Sequence, residues 1–129
     1  MSPATTRILI ADDDALMRGL LASILRQSGY QRIAQASDGS NALNLLRAPD
    51  SSFDLAFLDI AMPGLTGIQV MVDARALRPE LFCVIVSAHS AMENVLAALN
   101  AGARGFVVKP FNTGKIMDIM KKYESEAAA

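Results

Sequence analysis

Five short apolar runs alternate along the chain with five segments in which apolar residues recur every three or four positions. The runs at 8–11, 55–58, 82–86 and 105–108 are continuously apolar, as is typical of strands buried on both faces. The run at 32–36 is polar at alternate positions and predicts an edge strand. The segments between the runs have the spacing of amphipathic helices. Five strand–helix units in succession predict an α/β, doubly wound sandwich, in which a parallel sheet carries helices on both faces.

The sequence indicates the start, the end and the buried face of the first helix. Asp14 stands directly before it, and an aspartate at that place is more typical of a helix N-cap than of a metal ligand. Gly29 follows the segment, as glycine often does just past the end of a helix. The predicted buried stripe of this helix consists of six apolar residues: Leu16, Met17, Leu20, Leu21, Ile24 and Leu25.

Chemically active side chains stand at the ends of four of the five predicted strands. Asp12 and Asp13 follow the first strand, and Asp59 follows the third, just before a turn with proline and glycine. Ser87 ends the fourth strand, and Lys109 follows the fifth. Because the carboxyl ends of parallel strands share one edge of the sheet, and open α/β sheets bind ligands there, we expect these side chains to converge around Asp59.

This set of residues suits phosphoryl chemistry. Three neighbouring carboxylates repel one another, and a divalent cation removes that repulsion. Oxygen ligands favour Mg²⁺ over zinc, and the chain has no histidine–cysteine cluster that would indicate zinc. A carboxylate such as Asp59 is also a competent nucleophile that can form an acyl phosphate. Lys109 would add positive charge and Ser87 a hydroxyl donor, and phosphoryl transfer depends mainly on such positioning and charge stabilisation.

Length and composition narrow the class of protein. With 129 residues, of which 52% are hydrophobic, we expect one domain over 1–129, with a core over about 6–124 and a tail or linker stub at 125–129. A net charge of −1 implies no general attraction to nucleic acid or membranes. No signal peptide or membrane-length apolar stretch is visible, so we expect a cytoplasmic protein. Cys83 lies in an apolar run and is predicted to be a buried, inert thiol.

Four short motifs, in order along the chain and at strand ends, carry a resemblance to a known family. The chain resembles the response-regulator receiver domains of two-component signalling, of the chemotaxis-regulator kind, over nearly its whole length. This resemblance implies a flavodoxin-like fold with five helices, strand order 2-1-3-4-5 and three layers. The motifs are Ile8-Leu9-Ile10-Ala11-Asp12-Asp13, Asp59-Ile60-Ala61-Met62-Pro63-Gly64, Val86-Ser87-Ala88 and Lys109-Pro110-Phe111.

The resemblance also implies a role for each matching residue. Asp59 would be the phosphoacceptor, and Mg²⁺ would be held by Asp12, Asp13, Asp59 and the backbone carbonyl of Ala61. Ser87 would bind the phosphoryl group and move toward it. Lys109 would pair with that group, and its peptide bond to Pro110 would be cis, an isomer that is far less costly before proline than elsewhere.

The resemblance places a switch and a rim around this site. Ser87 and the aromatic residue Phe106 would form the switch, because movement of Ser87 opens space into which the ring can turn. The rim would consist of Ala61, Met62, Ala88 and His89, and Ala61 and His89 occupy positions at which the family tunes the lifetime of its phosphoryl group. His89 taken alone is more typical of a solvated loop residue than of a metal ligand.

The leading hypothesis is a signalling module that accepts a phosphoryl group from a histidine kinase, a phosphotransfer protein or a small phosphodonor. It would catalyse only its own phosphorylation and dephosphorylation and would be a monomer when unmodified. One alternative is a docking module of the same fold that works without phosphorylation. An aspartyl-phosphate phosphatase usually has a second acid two residues after its nucleophile, where this chain has Ala61. An FMN-binding flavodoxin is a further alternative, but Asp12 and Asp13 would repel its phosphate.

Overall fold

The computed structural model describes residues 3–50, 52–88 and 92–128. Within them, five parallel strands form one sheet in the order β2-β1-β3-β4-β5, which confirms the predicted topology. The strands are β1 (Arg7–Ala11), β2 (Arg32–Ala36), β3 (Leu55–Asp59), β4 (Phe82–Ser87) and β5 (Gly105–Val108). The helices are α1 (Ala15–Gln27), α2 (Gly39–Arg47), α3 (Gly67–Leu77), α4 (Met92–Asn100) and α5 (Thr113–Ala128).

The helices cover both faces of the sheet, so the molecule has three layers. Alternate residues of a strand point to opposite faces, and β3 shows this clearly. Leu55 and Phe57 pack in the core cluster that contains residues of α1 and α5. Ala56 and Leu58 pack in the cluster that contains residues of α2, α3 and α4. The central strands therefore have no solvent-facing side, which explains their continuously apolar sequence.

Side-chain caps fix the starts of three helices beside the carboxyl edge of the sheet. The Asp14 carboxylate accepts the backbone N–H groups of Leu16 and Met17, which confirms Asp14 as the N-cap of α1. Asp38 caps α2, and its side chain accepts the backbone N–H of Asn41. Thr66 forms a capping box with Gln69 at the start of α3. Each cap satisfies backbone donors that a helix start leaves unpaired.

The structure differs from the sequence pattern in two places. Residues 125–128, expected to be part of a tail or linker stub, continue α5. Glutamate and alanine favour helix there, the buried ring of Tyr123 anchors the preceding turn, and Glu126 pairs with Arg104. In α1, Leu16 and Leu20 are 80% and 43% exposed, because the helix turns Leu21, Ala22, Ile24 and Leu25 toward the sheet.

Two further observations bear on the expected class of protein. Cys83 is fully buried in β4, and burial raises its pKa to about 12 despite a small opposing effect of the Arg75 charge. The thiol therefore stays protonated and unreactive at neutral pH, as predicted.

Among the residues described, none of the helices combines the length and the apolar character that crossing a membrane requires.

Candidate functional site

The three predicted carboxylates meet at the carboxyl edge of the sheet. Asp12, Asp13 and Asp59 each offer one oxygen, and these oxygens lie within 4.8 Å of one another. Strand register is the cause: Ala11 is paired with Leu58, so Asp12 and Asp59 come next to each other on adjacent strands. Asp12 and Asp59 are only 5% exposed, whereas Asp13 faces solvent. Two carboxylates of the same charge are thus nearly withdrawn from water.

Lys109 supplies the positive charge beside this pair. Its Nζ lies 2.7 Å from Asp12 Oδ2 and 3.3 Å from Asp59 Oδ2. Burial alone would lower the pKa of Lys109, but the hydrogen bond with Asp12 and the charges of Asp59 and Asp12 outweigh it and raise the pKa. The ammonium therefore stays protonated at physiological pH. The peptide bond between Lys109 and Pro110 is cis.

The environment of Asp59 opposes its ionisation. Burial and, after it, the charge of Asp12 raise the pKa of Asp59 above that of an ordinary carboxyl group. Lys109 and the backbone N–H of Ala61, which lies 3.4 Å from Asp59 Oδ1, offset only part of this effect. A positive charge brought to the cluster would therefore stabilise the ionised, nucleophilic form of Asp59.

Asp12 is held in place by hydrogen bonds of its carboxylate, its backbone N–H and its backbone carbonyl. Its Oδ1 accepts the Asp14 backbone N–H at 2.8 Å, and its own N–H donates to Ala36 O at 3.1 Å. Its backbone carbonyl accepts a 2.6 Å hydrogen bond from Arg18 Nη1. Sequence reasoning missed Arg18, because an arginine one turn into α1 is usually a solvated residue and the pattern gave no sign that it folds back over the loop.

Ser87 lies at the buried end of β4. It is 0% exposed, and its carbonyl accepts the Lys109 backbone N–H at 2.8 Å, which ties the ends of β4 and β5 together. Register pairs Ser87 with Val108 and Ile85 with Phe106. Ser87 and Phe106 therefore project from the same face of the sheet, two residues apart along the strands. The ring of Phe106 is partly buried against the cluster that contains residues of α2, α3 and α4.

The predicted rim is partly described. Ala61 is exposed in the loop after β3, and Met62 beside it is buried at 8% exposure. Ala88 is exposed directly after β4. His89 lies outside the residues that the structure describes.

The donor set fits a hard divalent cation. Three carboxylate oxygens converge, two of them from nearly buried groups whose mutual repulsion a cation would relieve. Oxygen ligands of this kind suit Mg²⁺ or Ca²⁺ and not zinc. The residues present are thus compatible with the predicted metal.

Comparison with known proteins agrees with this geometry. The family model of the response regulator receiver domain matches residues 8–121. The chain is 33% identical over 116 residues to the chemotaxis protein CheY of Bacillus subtilis (strain 168), covering 90% of this chain and 95% of that protein.

Solved structures show the same likeness. A CheY-like receiver domain protein from Methanospirillum hungatei JF-1 superposes with a TM-score of 0.86 at 30% identity, covering 95% of this chain and 97% of that one. Response regulator protein TrrA from Thermotoga maritima, solved in complex with Mg(2+)-BeF, gives a TM-score of 0.81 at 33% identity, with coverage of 92% and 99%. With its family match, its five-stranded fold and its cluster of aspartates, this chain belongs to the response regulator receiver domain family of two-component systems.

Proposed function

We propose that this receiver domain is switched by phosphorylation of Asp59, with the phosphoryl group coming from phosphohistidine of a sensor histidine kinase or a phosphotransfer protein. The observation that carries the proposal is the convergence of three carboxylate oxygens within 4.8 Å. Lys109 Nζ lies within ion-pair distance of two of these carboxylates. This arrangement combines a nucleophile, metal ligands and a fixed cation in one cleft.

Each residue has a defined part in the proposed reaction. Asp12, Asp13, Asp59 and the backbone carbonyl of Ala61 would hold Mg²⁺, which when bound neutralises charge on the phosphoryl group. A carboxylate oxygen of Asp59 attacks phosphorus, a P–O bond forms, and the P–N bond to the histidine breaks with its electron pair leaving on the imidazole. The Lys109 ammonium pairs with the phosphoryl oxygens, since its raised pKa keeps it protonated. The product is an acyl phosphate on Asp59.

The signal would pass from the site through Ser87 and Phe106. The Ser87 hydroxyl would donate to a phosphoryl oxygen and move toward it. Because Phe106 projects from the same face of the sheet, the ring could turn into the space that Ser87 leaves. Such a switch shifts a balance between two existing conformations. A partner-binding face formed by α4, β5 and α5 would read this balance, and the unphosphorylated chain would be a monomer.

The test is the intact mass of the protein after incubation with acetyl phosphate, with and without Mg²⁺. We expect one phosphoryl increment that requires Mg²⁺ and disappears in Asp59→Asn. Asp73→Asn is the matched control, because it makes the same chemical change at an exposed carboxylate on α3. A phosphorylated histidine-containing phosphotransfer protein in place of acetyl phosphate then tests the donor.

Two results would contradict the proposal. Labelling of Asp59→Asn at the rate of the wild type would place the acceptor on another residue. Failure of the wild type to take up a phosphoryl group, although it binds Mg²⁺, would favour the alternative of a docking module that works without phosphorylation.

A further inference from the structure

The loop of residues 60–66, which connects β3 to α3, rests on the first turn of α2. The backbone N–H of Gly39 donates to the carbonyl of Pro63 in this loop at 3.2 Å. Gly39 is the first residue of α2, directly after its N-cap Asp38. Gly39 is far from the carboxylates in sequence and contributes no group to the cleft.

Gly39 is required at this position for space. Its φ is not positive, in contrast to Gly29, Gly64 and Gly102, so its backbone conformation is open to any residue. A Cβ on Gly39 would overlap the carbonyl oxygen of Leu65 and lie 2.7 Å from its carbonyl carbon. Both are backbone atoms and cannot rotate away as a flexible side chain would. Any side chain at position 39 therefore displaces the loop or α2.

The same loop carries Ala61, and it is anchored on both sides of that residue. Before Ala61, the Ile60 N–H donates to Val86 O at 3.0 Å, and the Ile60 carbonyl accepts from Gly67 at 3.3 Å. After Ala61, the Pro63 carbonyl is held by Gly39. The backbone around Ala61 is thus held through Ile60 on one side and through the contact of Pro63 with Gly39 on the other, whereas Asp12 and Asp13 directly follow β1 and Asp59 ends β3.

We propose that Gly39 is a positioning residue for the metal site. Its lack of a side chain lets the 60–66 loop pack against α2, and that packing holds in place the backbone that carries the Ala61 carbonyl, which would be a ligand of the divalent cation. The inference rests on the proposed function, in which this carbonyl completes the protein ligands of the metal. It assigns part of the metal affinity to a helix that contributes no ligand.

The experiment measures Mn²⁺ binding by electron paramagnetic resonance, with competition by Mg²⁺, in Gly39→Ala and in Gly19→Ala. Gly19 is the matched control, because it lies in α1 and a Cβ there would have no neighbouring atom within 4 Å. We expect Gly39→Ala to bind about tenfold more weakly, as when a group supporting a metal ligand is disturbed. Gly19→Ala should bind as the wild type does.

The binding constant separates positioning from a purely structural role. A structural role would lower the melting temperature of Gly39→Ala and leave the affinity of the folded protein unchanged, and that result overturns the proposal. Should Gly39→Ala fail to fold, Gly64→Ala disturbs the same loop without an overlap with backbone atoms. Gly64 has a φ of 79°, which alanine rarely adopts, and its Cβ would lie 3.3 Å from Ser40 Oγ. Weaker Mn²⁺ binding by folded Gly64→Ala supports the proposal, and unchanged binding overturns it.

Failure of the proposed role of Gly39 can be distinguished from failure of the proposed function. If the wild type binds Mn²⁺ but takes up no phosphoryl group, the proposed function fails while the role of Gly39 in metal binding can still be measured. If the wild type is phosphorylated and Gly39→Ala binds Mn²⁺ with unchanged affinity, the proposed function stands and only the positioning role fails.

Discussion

Charged residues lie at both the carboxyl edge and the amino edge of the sheet, but their surroundings differ. At the carboxyl edge, Asp12 and Asp59 share one sign and are almost fully buried. The amino edge is the side of the sheet at which the strands begin. There, the Cζ atom of Arg7 lies 5.0 Å from the ring centroid of Phe53, and the Cζ atom of Arg104 lies 5.7 Å from the ring centroid of Phe82. Cations over aromatic rings are favourable in themselves, whereas adjacent buried carboxylates are not. The charges at the amino edge therefore favour the folded state, whereas the two adjacent carboxylates at the carboxyl edge oppose it.

A cavity of about 490 Å³ at the amino edge illustrates the same difference. Its lining includes Arg78, Phe82, Arg104 and Tyr123. Arg78 donates to the carbonyls at the end of α2 and just beyond it at 3.0 and 2.9 Å, and Arg104 pairs with Glu126. These charges are therefore engaged within the protein itself. At the carboxyl edge, by contrast, the three clustered carboxylates outnumber the cations of Lys109 and Arg18 beside them.

The largest predicted effect on stability lies at the amino edge. The ring of Phe82 is buried and packs edge-on against Tyr123 at 5.4 Å between centroids. Phe82→Ala should lower the free energy of unfolding by about 3 kcal/mol in a denaturant titration, because it leaves a cavity and removes the ring contact. The initial rate of labelling by acetyl phosphate should be unchanged under conditions in which the variant is folded. Leu77→Ala, at a 64% exposed leucine, is the control. Loss of labelling in folded Phe82→Ala would show that the two edges are coupled.

The second effect lies at the carboxyl edge and should depend on pH. Lys109→Met removes the cation from two nearly buried carboxylates and should lower the free energy of unfolding at pH 7 by about 2 kcal/mol, the size expected for a hydrogen bond between charged groups. The loss should shrink as the pH falls, because protonation of Asp59, whose pKa is already raised, removes the repulsion. Chemical denaturation at several pH values measures this. A loss that does not vary with pH would mean that the methylenes of Lys109, and not its charge, matter for stability.

The smallest predicted effect on stability distinguishes the role of Asp14 from that of its neighbour Asp13. Asp14→Ala should lower the free energy of unfolding by about 1 kcal/mol, since α1 loses its N-cap, and should leave Mg²⁺ affinity unchanged. Asp13→Ala should do the reverse, because Asp13 is an exposed member of the carboxylate cluster and caps no helix. Denaturant titration and calorimetric Mg²⁺ titration of both variants test the distinction. Weaker Mg²⁺ binding by Asp14→Ala would extend the metal site into α1.

Much of the sheet and of the carboxylate cluster could be predicted from the sequence. Continuous apolar runs predicted central strands covered on both faces, and the residues after those runs predicted Asp12, Asp13, Asp59 and Lys109 as one cluster. That inference works because a parallel sheet brings all carboxyl ends to one edge, whatever the intervening segments contain.

What the sequence could not predict depends on contacts between distant segments. The exposure of Leu16 depends on which residues of α1 face the sheet, and periodicity alone does not give this. The last turn of α5 carries Glu126, which pairs with Arg104, a residue 22 positions earlier in the chain. The roles of Arg18 and Gly39 are visible only once their partners, the carbonyls of Asp12 and Pro63, are in place.

The most direct test of the difference between the edges is the thermal unfolding of the wild type and Asp59→Asn at neutral pH, with and without Mg²⁺. A raised carboxyl pKa means that Asp59 favours folding at low pH and that this contribution is lost as the pH rises through the raised pKa. Without Mg²⁺, Asp59→Asn should therefore melt higher than the wild type, by about 2–5 °C. Mg²⁺ should raise the melting temperature of the wild type more than that of the variant. A wild type that melts as high as Asp59→Asn without Mg²⁺, or an equal rise in both proteins with it, would contradict the account.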